Sequence, residues 1–239
     1  MDISGKVVLI TGASEGIGLA TARLFAAHGA RLALAARSAQ KLEQLAAELP
    51  GSLAIPTDMR DEQAIKRMIE RTREQYGQVD ALINNAGQGM HVRVEQADLA
   101  QYRAVFELNV VAVIAAMQAV IPIMREQGGG VIVNISSGTT KMLGVGLAPY
   151  SSTKHALNAI TLAARQELAP DNIRVGLVYP GITATDFHDH LANAGAWAGP
   201  RSGMAMETAE NVAEKILEAV RTEEAEVFAE SVKARMGGS

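Results

Sequence analysis

The chain has 239 residues and no cysteine. Disulfide frameworks, zinc–thiolate sites and thiol nucleophiles are therefore excluded, together with the usual stabilisers of small secreted domains. A large excess of charge is also lacking, because 22 Lys and Arg stand against 26 Asp and Glu, a net charge of −4. With 48% hydrophobic residues, this near balance excludes a disordered chain and predicts a sizeable folded core.

Signal-peptide features, long membrane-spanning runs and basic clusters are missing as well. The first residues lack a basic stretch followed by an apolar core, so we expect a cytoplasmic protein. The most apolar segment, residues 110–124, contains Gln118 and Pro122 and falls short of the roughly 18 residues that span a bilayer. It fits a buried helix or a subunit interface better. We expect small-molecule partners, and neither nucleic acid nor membrane.

Short β-rich apolar runs alternate with longer segments of helical period along the chain. This alternation is typical of βαβ units, in which helices cover both faces of a parallel sheet. The predicted strands are residues 6–10, 31–35, 52–55, 79–83, 131–135, 174–179 and 225–228. The predicted helices are residues 17–27, 39–49, 61–75, 99–125, 151–168 and 209–220. We therefore predict one α/β domain over residues 1–239, with a doubly wound parallel sheet of about seven strands.

A glycine-rich turn, Thr11 to Gly18, joins the first predicted strand to the first helix. Gly12 permits a tight turn, while Gly16 and Gly18 lack the β-carbons that would block close approach of a pyrophosphate or of the helix to the sheet. Free amides at a helix N-terminus attract phosphate, so the turn predicts a dinucleotide site. The spacing G-x-x-x-G-x-G differs from the general G-x-G-x-x-G, and a tight turn without a ligand is the alternative.

The second predicted strand ends in Ala35-Ala36-Arg37-Ser38. Many dinucleotide folds have an acidic residue there, which binds the adenosine ribose and repels a 2′-phosphate. With no carboxylate, and with a guanidinium that can bind phosphate through two hydrogen bonds, this site favours NADP over NAD. A solvated Arg37 is the alternative, and Glu15 argues against phosphate binding unless its carboxylate points into solvent.

Tyr150 and Lys154 lie four residues apart in a segment of helical period, so they share one face of a helix. A phenol has a pKa of about 10, and an adjacent ammonium favours the phenolate. Tyr150 is thus a candidate acid and base for interconverting a carbonyl and an alcohol, and a surface tyrosine beside a solvated lysine is the alternative. Ser137 follows the strand predicted at residues 131–135, at the edge where parallel sheets bind ligands.

Taken in order, these motifs resemble the short-chain dehydrogenase/reductase family over nearly the whole chain. The family pattern is matched by Thr11 to Gly18, by Asn84-Asn85-Ala86-Gly87, by Ser137, by Tyr150 with Lys154 and by Pro180-Gly181. The resemblance implies a Rossmann fold and an NAD(P)-dependent oxidoreductase.

The resemblance also implies the role of each catalytic residue. Ser137 would bind the substrate oxygen, and Tyr150 would be the general acid and base. Lys154 would lower the pKa of the tyrosine and bind the nicotinamide ribose. Asn109 would hold a water of the proton relay, and its alternative role is to satisfy backbone groups within a long helix.

A larger set of residues is implied in cofactor binding. Asp58 would meet the adenine amino group, with capping of the next helix as its alternative, and residues near Thr183 and Thr185 would hold the carboxamide. The full expected set is Gly12, Ser14, Glu15, Gly16, Ile17, Gly18, Arg37, Asp58, Asn85, Ala86, Gly87, Tyr150, Lys154, Pro180, Gly181, Thr183 and Thr185.

The expected substrate side is apolar and includes a substrate loop at about residues 186–206, in which the glycines and alanines between Leu191 and Gly203 predict a mobile lid. A small or medium-sized ketone, aldehyde or secondary alcohol fits it best. No metal is expected, because His188 and His190 are two residues apart and have no evident third ligand. The residues that predict a hydrophobic pocket are Met90, Met142, Leu143, Leu147, Trp197, Met204 and Met206.

The leading hypothesis is an NADP(H)-dependent carbonyl reductase. A catalytically silent NADP-binding sensor or scaffold would not need the serine, tyrosine and lysine set, and a nucleotide-binding transferase would not explain Asn-Asn-Ala-Gly. A 3-oxoacyl-type reductase is a further alternative, although residues 229–233 lack the D-G-G tail common in that branch. The apolar helix around residues 110–123 and the helix of Tyr150 resemble the family's dimer interface, so we expect a homodimer or homotetramer.

Overall fold

All seven predicted strands are present, each within two residues of its expected bounds. The computed structural model describes residues 1–185, 187, 191–192 and 206–237. The strands form one parallel sheet in the order β3-β2-β1-β4-β5-β6-β7, which confirms the doubly wound α/β fold. They are β1 (Val7–Thr11), β2 (Arg31–Ala36), β3 (Leu53–Pro56), β4 (Ala81–Asn84), β5 (Gly130–Ile135), β6 (Ile173–Tyr179) and β7 (Glu226–Phe228).

The helices cover both faces of this sheet. They are α1 (Gly16–Ala27), α2 (Ala39–Glu48), α3 (Glu62–Tyr76), α4 (Leu99–Phe106), α5 (Ala112–Glu126), α6 (Ala148–Leu168), α7 (Ala209–Thr222) and α8 (Glu230–Met236). Helix α8 was not predicted, and α6 begins three residues earlier than predicted, so Tyr150 lies in its first turn. Short 3₁₀ turns occur at Val94–Gln96, Gly138–Thr140 and Ala169–Asp171.

The sheet is buried on both faces, which explains why its strands are continuous apolar runs. In β1, Val8 and Ile10 pack with α1, α2 and α7 in one core cluster. Leu9, which points to the opposite face, packs with α3, α5 and α6 in a second cluster. The two layers of helices fix the sheet, and with it the edge at which its strands end.

Helix α3 corrects one interpretation of Asp58. The Asp61 carboxylate accepts a hydrogen bond from the Gln63 amide at 2.8 Å and caps this helix. Asp58 instead accepts from the Arg60 amide at 3.0 Å in the preceding turn. The expected alternative, that Asp58 caps the next helix, is therefore wrong.

Helices α4 and α5 are joined by a π-helical turn, Glu107–Val111, into one continuous helix, Leu99–Glu126. This helix of 28 residues contains an 18-residue window of mean hydropathy 2.1, long and apolar enough to cross a membrane by length and composition. The argument that the segment is too short to span a bilayer is therefore wrong. Core helices pass the same test, and the inner face of α5 packs against the sheet in the second core cluster.

Candidate active site

A cleft of about 960 Å³ lies where the strands end at their carboxyl termini. Strand order reverses between β1 and β4, which is where open α/β sheets form a ligand crevice. Every predicted site residue lines it except Gly18 and Asn109, which are buried against residues that do. We name one side of the cleft the glycine-turn wall, whose lining residues fall within 12–17, 36–41, 57–60 and 85–88. We name the other side the tyrosine wall, whose lining residues fall within 135–154 and 180–187 and include residue 235.

The glycine turn is packed too closely for side chains at two of its positions. Gly12 has φ of +67°, and a β-carbon there would lie 2.8 Å from Asn85 Nδ2. A β-carbon on Gly18 would overlap the carbonyl oxygen of Gly12. Gly18 therefore lets the first turn of α1 approach the glycine turn itself, which leaves the amides of the helix N-terminus facing the cleft.

Thr11 and Asn85 tie the glycine turn to the end of β4. Asn85 Nδ2 donates to the carbonyl oxygens of Thr11 and Gly12 at 3.0 and 3.2 Å. The amides of Asn85 and Ala86 donate to Thr11 Oγ1 at 3.0 and 3.1 Å. Thr11 thus positions the site, although the sequence analysis gave it no role. The signal was its place at the start of the glycine motif.

Two cationic side chains on the glycine-turn wall, Arg37 and Lys41, are exposed. Arg37 follows β2 and lines the cleft. Lys41, which was not predicted, lines the same region and places Nζ 2.9 Å from Glu15 Oε2. The Glu15 carboxylate, which counted against phosphate binding, is therefore paired with a cation. Lys41 lies four residues after Arg37, and this spacing was the available sequence signal.

Tyr150 and Lys154 are both buried at the centre of the tyrosine wall. Burial raises the pKa of Tyr150 to about 12, and a hydrogen bond with the Ser137 side chain acts in the opposite direction. Burial lowers the pKa of Lys154 to about 8. Lys154 Nζ donates to the Ile135 carbonyl at 2.8 Å and lies 5.9 Å from the centre of the Tyr150 ring. The net shift of the Tyr150 pKa is therefore upward, against the lowering expected from Lys154, and the one lowering contribution comes from Ser137.

Asn109 lies in the π-helical turn and is fully buried. Its side chain accepts from the Gln88 amide and donates to the Gln88 carbonyl, both at 2.9 Å. It also donates to Thr153 Oγ1 at 3.0 Å, beside Lys154. The side-chain amide of Asn109 therefore satisfies backbone groups, as its alternative role predicted. These groups belong to the loop after β4, however, and not to its own helix. It connects the two walls of the cleft.

Glu207 is a buried carboxylate that the sequence analysis missed. Its two oxygens accept from the Gly181 amide at 3.1 Å and from the Ser231 amide at 2.9 Å. Thr183 and Glu207 also form an isolated β-bridge. The Pro180-Gly181 turn is thereby joined to α8. No local pattern distinguishes Glu207 from the exposed glutamates, so the sequence offered no signal for it.

The apolar pocket is placed in part as predicted. Met142, Leu143 and Leu147 line the cleft, and the rings of Phe187 and His91 lie 5.8 and 5.9 Å from the Tyr150 ring. Among the residues expected in the pocket, two are placed elsewhere and two are not described. Met90 is buried in the protein interior, Met206 does not line the cleft, and Trp197 and Met204 lie outside the described residues.

The metal and lid predictions concern residues that are mostly undescribed. His188 and His190 lie outside the described residues, as does most of the predicted loop at 186–206. Within the part of the chain that the structure describes, no group of three or more His, Asp or Glu residues could hold a metal ion.

Comparison with known proteins gives one family. The sequence model of the short chain dehydrogenase family matches residues 6–196. The 3α-hydroxysteroid dehydrogenase of Mediterraneibacter gnavus is 35% identical over 201 residues, 81% of this chain and 80% of that protein. The 3-oxoacyl-[acyl-carrier-protein] reductase of Thermotoga maritima is 36% identical over 198 residues, 80% of this chain and 79% of that protein.

A solved structure extends the comparison to the fold. The crystal structure of 3-ketoacyl-(acyl-carrier-protein) reductase from Brucella melitensis, complexed with NADH, matches with a TM-score of 0.88 and 26% identity. The match covers 96% of this chain and 99% of that chain. The two chains therefore share the same fold over nearly their whole lengths.

Proposed function

Since the chain belongs to the short-chain dehydrogenase family and is an oxidoreductase acting on CH–OH or C=O groups, we propose that it interconverts a ketone or aldehyde and its alcohol with NADP(H). The observation that carries this proposal is the meeting of Ser137, Tyr150 and Lys154 on the wall opposite the glycine turn. A silent NADP-binding sensor would need only the glycine-turn wall.

The glycine-turn wall fits a nicotinamide dinucleotide. Its turn lacks β-carbons where the backbone must be approached closely, and amides of the α1 N-terminus are available for a pyrophosphate. We propose that the predicted residues from Gly12 to Gly18, together with Asp58, Asn85, Ala86 and Gly87, hold the cofactor here. When bound, the cofactor supplies or accepts the hydride.

The preference for NADP rests on charge. No carboxylate follows β2, Arg37 lines the cleft, and Lys41 both lines it and pairs with Glu15. Arg37 and Lys41 thus place two cations at the end of β2, and Glu15, the carboxylate nearest to them in the turn, is paired with Lys41. A guanidinium binds phosphate through two parallel hydrogen bonds, which makes Arg37 the stronger contact.

The tyrosine wall supplies the proton. With a pKa of about 12, Tyr150 keeps its proton at neutral pH, so it can donate it to a carbonyl oxygen as hydride reaches the carbon. Ser137 would hold that oxygen, since its hydroxyl already reaches the phenol. Lys154 retains further N–H groups beyond the one given to Ile135, and these can bind ribose hydroxyls. In the reverse direction Tyr150 takes the proton back.

A 3-oxoacyl-type reductase is the second candidate, because the Thermotoga and Brucella relatives carry that name. The residues that follow β7 argue against it, since they form helix α8 and lack the D-G-G sequence common in that branch. Both candidates use the same acid and base, and they differ only in the substrate that reaches Tyr150.

We also propose one cytoplasmic domain over residues 1–239 that assembles as a homodimer or homotetramer. The helix Leu99–Glu126 supports the assembly, because 44% of its most apolar window is buried within this chain and most of the remaining apolar residues are only half-buried. A helix face of partly accessible apolar residues suits an interface with a second copy. Small-molecule carbonyls or alcohols remain the proposed partners.

The test is a screen of ketones, aldehydes, 3-oxoacyl thioesters and alcohols with both cofactors, followed by absorbance of the reduced nicotinamide. With the best substrate, Tyr150→Phe should lower kcat by about 10²–10⁴-fold, because proton transfer is lost. NADPH affinity should stay within about twofold, since only one hydroxyl is removed. Unchanged NADPH oxidation by this variant would falsify the proposed role.

A further inference from the structure

The last helix brings an arginine to the tyrosine wall. Arg235 lies in α8, is half-buried and lines the cleft. Its neighbour Lys233 is exposed and pairs with Glu230 at 3.3 Å. Arg235 has no hydrogen bond or ion pair with any residue in the described ranges. A cation that faces a cleft without a partner among the described residues is suited to bind an anion.

The position of Arg235 is fixed by the first turn of α8. The Ser231 amide donates to Glu207, which also accepts from Gly181. Val232 lies so close to Gly138 that a β-carbon on that glycine would be 2.8 Å from Val232 Cγ2. The first turn of α8 therefore rests on the turns that follow β5 and β6. Residues three and four apart share a helix face, so Arg235 is held on the same side as these contacts.

The tyrosine wall, to which Arg235 belongs, carries many apolar side chains. Met142, Leu147 and Phe187 line the same wall of the cleft, and Leu143 and Val145 are exposed on it. Of the described residues that line the cleft, the carboxylates are Glu15 and Asp58, both on the glycine-turn wall. An ion pair is stronger where apolar groups exclude water than it is in bulk solvent.

We propose that Arg235 binds an oxyanion, a carboxylate or a phosphate, at the far end of an otherwise apolar substrate. This inference rests on the proposed function and adds a substrate class to it. The carbonyl of such a substrate would reach Ser137 and Tyr150, its chain would contact the apolar lining, and its charged end would pair with the guanidinium. Arg235 is then a determinant of specificity and takes no part in the proton transfer.

Direct binding tests the inference without catalysis. Calorimetry with and without NADPH would compare octanoate, octyl phosphate and the neutral octanamide. We expect at least one of the two anions to bind the wild-type protein about 10-fold more tightly than octanamide, a difference near 1.4 kcal/mol. Arg235→Met should remove that advantage and leave octanamide binding unchanged. Arg235→Lys should keep part of it, and Lys233→Met, the matched control on the same helix, should keep all of it.

Three results would overturn the inference. The first is equal binding of both anions and the amide to the wild-type protein. The second is an Arg235→Met variant that weakens all three ligands alike. The third is a loss of NADPH affinity in that variant, which would assign Arg235 to the cofactor. An unchanged melting temperature of Arg235→Met shows that α8 still folds in this variant. If the melting temperature falls, the anion affinities of Arg235→Lys and Lys233→Met are compared instead.

Turnover separates this inference from the proposed function. The pair 7-oxooctanoate and 7-oxooctanamide differs only in the charged end. We expect kcat/KM of the wild-type enzyme to be about 10-fold higher for the keto acid than for the amide. In Arg235→Met the two values of kcat/KM should be about equal, and kcat should be unchanged. Turnover of both ketones without preference overturns the inference alone. If no carbonyl compound is reduced, the proposed function fails, and the calorimetry still decides the role of Arg235.

Discussion

The two walls of the cleft are built by different kinds of contact. In the glycine-turn wall, backbone groups approach one another so closely that Gly12, Gly18 and Asn85 interlock. In the tyrosine wall, a buried phenol and a buried ammonium share the surface with apolar side chains, some of which are exposed at the rim. The first wall is constrained by the path of the backbone and the second by side-chain chemistry. Mutations should therefore damage the two walls in different ways.

The largest effect is expected from Gly18→Ala. Its β-carbon would overlap the Gly12 carbonyl oxygen, and backbone atoms cannot move aside cheaply. We expect the free energy of unfolding to fall by about 2–3 kcal/mol, as for other overpacked sites, and cofactor binding to be lost. Denaturant unfolding and NADPH titration measure both quantities.

Gly144→Ala in the tyrosine wall is the matched control. There the added β-carbon would lie 3.2 Å from the flexible tip of Leu147, and the backbone is not left-handed. Its unfolding free energy should change by less than about 0.5 kcal/mol. If both alanines cost the same, the proposed difference between the walls is wrong.

The second prediction concerns the buried charge of the tyrosine wall. The pKa of Lys154 is lowered by burial from 10.5 to about 8, so between these values the unfolded chain binds more protons than the folded one. Stability must then rise as pH increases through this range, by up to about 3 kcal/mol. The pKa of Tyr150 is raised to about 12, so ionisation of this residue lowers the stability of the folded protein as pH increases, but only above pH 10.

Urea unfolding of the wild-type protein and Lys154→Met from pH 7 to 10 isolates this contribution. The stability of the wild type relative to the variant should increase by about 2–3 kcal/mol over that range. If the stability difference between the wild type and Lys154→Met stays constant with pH, then burial does not lower the pKa of Lys154.

Much of the fold and of the glycine-turn wall could be predicted because the signals are local. Strands buried on both faces are apolar runs, and a turn without room for side chains needs glycine at fixed spacings. Residues that act across long separations left no such signal. Glu207 joins groups 26 and 24 residues away, and Asn109 reaches Gln88 and Thr153, 21 and 44 residues away. Met90 shows a further limit, since an apolar residue type does not distinguish core from pocket.

The third prediction tests charge on the glycine-turn wall. Arg37 is exposed, so a phosphate contact there should be near the lower end of the range for charged hydrogen bonds, about 1.5 kcal/mol. Arg37→Ala should weaken NADPH about 10-fold and leave NADH nearly unchanged. Arg23→Ala, which removes an exposed arginine paired with Glu48 outside the cleft, should alter neither affinity. Equal losses for both cofactors would refute the phosphate contact.

The smallest effects are expected at the rim of the tyrosine wall. Leu143 and Val145 are each 77% exposed, so serine at either position should change the free energy of unfolding by less than about 0.5 kcal/mol. Burying even one methylene of a substrate against such a side chain contributes about 0.8 kcal/mol. KM for an apolar ketone should therefore rise about two- to fivefold, while kcat stays the same. Val94→Ser removes a side chain that is 73% exposed but does not line the cleft, so its KM should equal that of the wild type. A rise in KM at residues 143 and 145 but not at 94 would show that this wall keeps apolar surface exposed for the substrate at no cost to the fold.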